Sequence, residues 1–191
     1  RGVPPDTVEA IKWYRLAAEQ GHPEAQSNLG QHYREGTGVA KDYAEALRWF
    51  QKSAEQKNAQ AQCNLGMLYY DGRGVAQDYT EALKWFRKSA EQNYSGGQYN
   101  LGLMFTKGHG VTQDFAEAVK WYRQAAEQNN EYAQNNLGVR YQNGEGVPID
   151  YAEAMKWYQK SAMQGHANGQ MNLARMYLEG HGVAKDMVEA Y

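Results

Sequence analysis

Between Tyr43 and Glu55 the apolar or small residues fall at positions 43, 46, 47, 49, 50, 53 and 54. At about 100° per residue these occupy an arc of roughly 160°. Arg48, Gln51, Lys52 and Glu55 fill the opposite side. An apolar stripe that broad suits a helix packed against two neighbours rather than one. The spacing does not alternate, so a strand does not fit. Asp42 heads the segment and Glu45 stands three residues on, the signature of a capping box in which each side chain would satisfy an orphan backbone amide. The helix is expected to run to about Gln56. A second is expected from about Asn58 to Asp71, burying Ala61, Leu65, Gly66 and Tyr69 and ending at Gly72, where a left-handed residue can close the last turn.

The same pattern returns every 36 residues. Asp occurs at 6, 42, 78, 114, 150 and 186, each with Glu three residues later, and all the tryptophans lie at 13, 49, 85, 121 and 157. Gly-Val pairs fall at 2–3, 38–39, 74–75, 110–111, 146–147 and 182–183. A helix pair repeated in this way predicts an all-α solenoid of antiparallel pairs, one array over 1–191, with units beginning near 25, 61, 97, 133 and 169 and partial units at both ends. The chain starts inside a turn and stops early in a helix, as an excerpt of a longer protein would. Gly30, Gly66, Gly102 and Gly138 sit in mid-helix, where glycine costs about 1 kcal/mol against alanine. Their repetition predicts a close approach, expected beneath the Trp and its aromatic neighbour.

Composition narrows the function. With 20 Lys+Arg against 22 Asp+Glu the net charge is −2, which offers no bulk basic excess for nucleic acid. No apolar run approaches the roughly 20 residues that span a bilayer. Cys63 is the one cysteine, so no intrachain disulfide forms, and either redox compartment remains open. No cofactor or metal is expected: the five histidines never take i, i+4 spacing, and no cysteine pair assists them. None of Ser27, Ser53, Ser89, Ser95 and Ser161 is followed by Lys at the third position, as a Ser-x-x-Lys acylation site requires, and no phosphate loop is present. The row Lys12, Arg48, Lys84, Lys120 and Lys156 shares its face with Glu19, Glu55, Glu91 and Glu127, which reads as a solvated surface.

Residues 61–92, with Leu65-Gly66, Tyr69, Gly72-Arg-Gly74-Val75, Asp78, Ala82, Trp85-Phe86 and Ala90, closely resemble the Sel-1-like repeat, a relative of the tetratricopeptide repeats. The resemblance covers essentially the whole chain. It implies a right-handed superhelix whose inner surface is lined by the Leu-Gly helix, and an adaptor or scaffold role. Some cysteine-rich relatives are linked to β-lactam binding or hydrolysis. A single cysteine departs from their pattern, so hydrolysis of β-lactams or cell-wall fragments is the disfavoured alternative, beside a purely architectural or self-assembling role.

Positions that vary between copies carry the one positive signal. On the second helix those equivalent to 60, 63, 67, 70 and 71 fall on an arc of about 100°, expected to face away from the packing side. There the chain places Met67, Tyr70, Tyr99, Leu103, Tyr132, Asn135, Val139, Met171 and Arg175. Aromatics, Met and Arg are the types that anchor interfaces. Beside them runs a row of amides, among them Asn64, Asn100 and Asn136, suited either to a peptide backbone or to bonds within the stack. The expected function is a non-enzymatic scaffold binding a protein or peptide on the concave face. The expected state is a monomer, with end-to-end association as the alternative.

Overall fold

The computed structural model describes residues 6–181. The Asp186 cap with Glu189, and the Gly-Val pairs at 2–3 and 182–183, lie outside the described residues. Ten α-helices and no strand are formed within them: α1 (Thr7–Glu19), α2 (Pro23–Glu35), α3 (Tyr43–Glu55), α4 (Ala59–Asp71), α5 (Tyr79–Glu91), α6 (Ser95–Lys107), α7 (Phe115–Glu127), α8 (Glu131–Asn143), α9 (Tyr151–Met163) and α10 (Ala167–Glu179). They fall into two compact units that meet in sequence at Gln92 and Asn93.

The helices start where the aspartates predict. Asp6, Asp42, Asp78, Asp114 and Asp150 each accept the backbone N–H of the Glu three residues on. The reciprocal half of the capping box is replaced by another arrangement. The N–H of Asp78 donates to the carbonyl of Tyr69, and those of Asp42, Asp114 and Asp150 donate to Tyr33, Phe105 and Tyr141. Each acceptor lies in the last turn of the preceding helix, where a carbonyl has no partner within its own helix. With the Asp amide taken, the glutamates turn outward. Glu9, Glu45, Glu81, Glu117 and Glu153 pair with Lys12, Arg48, Lys84, Lys120 and Lys156 one turn on. At the other end of α4, Gly72 adopts φ 68°, and its N–H and that of Arg73 both donate to Leu68 O.

In the first unit, α1, α2 and α3 close on Ile11, Ala18, Ala25, Leu29 and Trp49, and α3 with α4 closes on Ala46, Phe50, Ala54, Ala61, Leu65 and Leu68. Burying one such Leu or Phe side chain contributes about 2–3 kcal/mol. In the second unit Leu101, Met104, Tyr122, Leu137, Tyr158 and Met176 are fully buried. The mid-helix glycines do mark close approaches. A Cβ on Gly66 would lie 2.7 Å from the Phe86 ring, and one on Gly102 the same distance from the Tyr122 ring. The ring is always the residue after the tryptophan. The tryptophans themselves lie aside: the Lys52, Lys88 and Lys160 ammonium groups sit 4.5, 4.1 and 4.3 Å from the ring centres of Trp49, Trp85 and Trp157.

Buried polar side chains tie neighbouring repeats together. Ser53 and Ser89 donate to the carbonyls of Pro23 and Ala59 at 2.6 Å, and Ser161 to Glu131 at 2.8 Å. Gln56, Gln92, Gln128 and Gln164 donate to the side chains of the buried Gln26, Gln62, Gln98 and Gln134. The sequence analysis passed over these glutamines, although the 36-residue period was their visible signal.

Candidate partner-binding faces on the second helices

The candidate residues lie on α4 in the first unit and on α6, α8 and α10 in the second. On α4, Met67 and Tyr70 are half-buried, and the Tyr70 ring lies 5.2 Å from that of Tyr79. Asn64 is buried; its Oδ1 accepts from Arg34 Nη1 at 3.0 Å. Cys63, placed on the outward arc by its helical phase, is buried as well.

On the second unit, side chains from four elements form a run of rings. Tyr99 of α6 lies 6.1 Å from Tyr122 of α7 and 5.7 Å from Tyr132 of α8, and Tyr132 meets His166, the N-cap of α10, edge-on at 4.9 Å. Tyr132 is 49% exposed, Met171 is 62% exposed, and Arg175 is exposed on the same helix as Met171. Leu103 and Val139 are half-buried.

Asn135 corrects the helical-phase reading. Expected on an outward arc, it is 6% exposed. Its Oδ1 accepts from Asn172 of α10 at 2.9 Å, and its Nδ2 donates to Asn136 at 3.3 Å. Helix α8 contacts the next second helix, α10, as well as its own pair, and Asn135 lies where that contact is made. Asn100 donates to Gly96 O at 2.9 Å. Asn64, Asn100, Asn135 and Asn136 therefore all hold bonds within the protein.

Below the rings lie two buried tyrosines. Tyr122 shares a hydrogen bond with Thr106 Oγ1 at 3.0 Å, and Tyr158 donates to Gln142 Oε1 at 2.6 Å. Burial pushes the Tyr122 hydroxyl up to about 12, against the bond from Thr106, and raises that of Tyr158, against the nearby Arg175 and Arg140. Both stay neutral, as hydrogen-bonding groups, at physiological pH.

The chemistry available to the hydroxyls is limited by burial. Ser161 Oγ lies 3.0 Å from His166 Nδ1, a distance fit for a nucleophile and base. Yet Ser161 is fully buried, its hydroxyl also faces Glu131 O at 2.8 Å, and Nδ1 caps α10 by accepting the Gly169 N–H. The pair is a helix cap tied to a neighbouring repeat. Among the described residues no group of three His, Cys, Asp or Glu is placed to hold a metal ion, and no helix is long and apolar enough to cross a membrane.

A model of the Sel1 repeat matches residues 1–22, 23–58, 59–94, 95–130, 131–166 and 167–191. A Sel1 repeat protein from Oxalobacter formigenes superposes with a TM-score of 0.91 over 99% of this chain and 78% of its own, at 40% identity. A protective antigen of uropathogenic Escherichia coli strains, with an SLR fold, matches 97% of this chain at 44% identity and a TM-score of 0.87. This chain spans 40% of that antigen's length. A protein from Klebsiella pneumoniae, 23% identical with a TM-score of 0.65 over 94% of this chain and 88% of its own, shares the fold. No curated protein matches. With every segment of the chain under the repeat model, and two solved SLR structures at 40% identity or more, this protein belongs to the Sel1 repeat family.

Proposed function

We propose that the chain is a non-enzymatic scaffold that binds a peptide or protein partner along its second helices, with Tyr99, Tyr132, Met171 and Arg175 as anchors in the second unit. Sel1 repeats commonly serve as protein-interaction scaffolds, which sets the class. The observation that carries the reading is Tyr132: a large aromatic, half-exposed, already fixed between Tyr99 and His166 by ring contacts. A ring held in place in the free protein loses little side-chain entropy when a partner covers it. Leu103 and Val139 extend the apolar area, and Met67 and Tyr70 offer a second patch on the first unit.

The test is selection of a displayed random peptide library on the purified chain. Each lost anchor costs about 1–2 kcal/mol, so Tyr99→Ala with Tyr132→Ala is expected to weaken the selected peptides roughly 10- to 100-fold, with helicity by circular dichroism unchanged. Reversal of outer charges, Lys84→Glu with Lys120→Glu, should leave binding as it was. The opposite pattern overturns the proposal.

A further inference from the structure

The first unit holds a cleft of about 380 Å³ where the last turns of α2 and α4 meet the start of α3. Its floor is Met67 and Leu68, and Tyr43 forms one wall. Three cations reach it: Arg34 from α2, Lys41 from the turn after α2, and Arg73 from the turn after α4. Lys41 Nζ and Arg73 Cζ lie 5.8 and 5.6 Å from the Tyr43 ring centre. In a chain of net charge −2 this gathering stands out.

Two carboxylates line the cleft against three cations, which leaves one positive charge in excess. Glu35 stands 3.6 Å from Arg34, and Asp71 stands 3.4 Å from Arg73, each next or next-but-one in sequence to its arginine. Lys41 has no ion-pair partner among the described residues. The C-terminal dipoles of α2 and α4 draw on part of the positive charge, but Lys41 lies beyond both helices.

The three cations occur together only at this place in the repeat array. Positions equivalent to Arg34 hold Tyr70, Thr106, Gln142 and Leu178; those equivalent to Lys41 hold Pro5, Gln77, Gln113, Ile149 and Lys185; those equivalent to Arg73 hold Arg1, Thr37, His109, Glu145 and His181, so no other copy combines all three. None of the three has a part in the bonds that recur through the stack. In the second unit the matching place is filled from within. Arg140 takes the position of Leu68, its guanidinium lies 5.1 Å from the Phe115 ring centre, and Nη1 meets Glu145 Oε2 at 2.7 Å. There the protein supplies its own ion pair over the aromatic wall; in the first unit the space is open.

We propose that this cleft seats an acidic side chain of the peptide partner. Its carboxylate lies between Lys41, Arg73 and Arg34, and its methylenes lie over Tyr43, Met67 and Leu68. The inference rests on the scaffold reading for the nature of the occupant, and it assigns the first unit the anionic half of the recognition. Met67, a candidate from the sequence, belongs to this cleft.

The test is a titration of the whole chain with acetyl-Glu-Glu-amide, followed by backbone amide shifts in NMR. Saturable shifts are expected at Lys41, Tyr43 and Arg73, with none from acetyl-Gln-Gln-amide. Lys41→Glu with Arg73→Glu, both at exposed positions, should weaken binding at least 10-fold and leave the spectrum folded. Absence of saturable shifts, equal shifts from the Gln peptide, or full binding by the charge-reversed variant overturns the proposal. Inorganic phosphate binding at the same residues as tightly as the Glu peptide overturns it too, since the cleft would then read a free anion. Display peptides that depend on Tyr99 and Tyr132 but carry no acidic preference would remove the cleft and leave the scaffold. Their failure with a positive titration would do the reverse.

Discussion

A single methyl group at Gly66 tests the packing at its tightest point. The added Cβ would sit 2.7 Å from the Phe86 ring and 3.3 Å from Ala82 O. Gly66→Ala gains about 1 kcal/mol of helix propensity, and overpacking costs about 1–3 kcal/mol, so a net loss in a urea titration is expected. The sequence already showed that a glycine here must face another element. It did not show which ring, because adjacent positions such as Trp85 and Phe86 share one broad arc. Lys57 gives the contrary case. It adopts φ 66° in a turn where Gly21 and Gly165 take φ 95° and 83°. A left-handed conformation costs a non-glycine residue about 1–2 kcal/mol, so Lys57→Gly is expected to raise the urea midpoint. Tyr122 adds a pH effect. Its hydroxyl holds its proton to about 12 in the fold, against 10 ordinarily. Stability is level below pH 10 and falls as the pH rises toward 12, because the unfolded chain releases that proton first. The loss amounts to about 3 kcal/mol, and Tyr122→Phe should remove it from stability measured against pH.

At the scale of the helix, the residues of one cap separate cleanly. Asp78→Ala removes the acceptor for Glu81 N–H and should cost about 1 kcal/mol. Glu81→Gln should cost under about 0.5 kcal/mol, since it leaves the cap intact and weakens only a surface pair with Lys84. Comparable losses for the two in urea unfolding would restore the reciprocal capping box. Helix starts and stops were legible in the sequence because caps, Gly72 and apolar spacing are local signals. The fate of the Asp78 N–H was not, because its acceptor, Tyr69, belongs to another helix. Asn135 was misread for a related cause. A helical wheel describes one helix and its pair, whereas Asn135 is buried by contact with the following second helix. The same limit hid the cleft around Lys41, whose walls come from two helix ends and two turns.

Across the whole chain, the repeat and its fold were written in the sequence by period alone, while the faces that differ between repeats needed coordinates. The two units are built alike and differ in what lies under the mid-helix glycines. Phe50 and Phe86 occupy those places in the first unit, Tyr122 and Tyr158 in the second. Among the described residues the two fully buried phenols with raised pKa, Tyr122 and Tyr158, both lie in the second unit, while burial raises the pKa of the half-buried Tyr69 in the first. Protection factors in α7 and α9, exchange rates corrected for their intrinsic rise with pH, should therefore fall above pH 10 more than those in α3 and α5. An equal fall in protection in both units would show that burial of these hydroxyls does not govern alkaline unfolding.

The amides of Asp42, Asp78, Asp114 and Asp150, each bonded back to the residue nine places earlier, also bear on how such a chain can change over time. One amino acid added to or lost from that connector would change the nine-residue spacing and break that tie, while every later cap keeps its spacing to its own helix. Gain or loss of a whole 36-residue module, by contrast, preserves every tie. A local insertion there is expected to cost the bond it interrupts, which favours adaptation by substitution at positions the ties do not use.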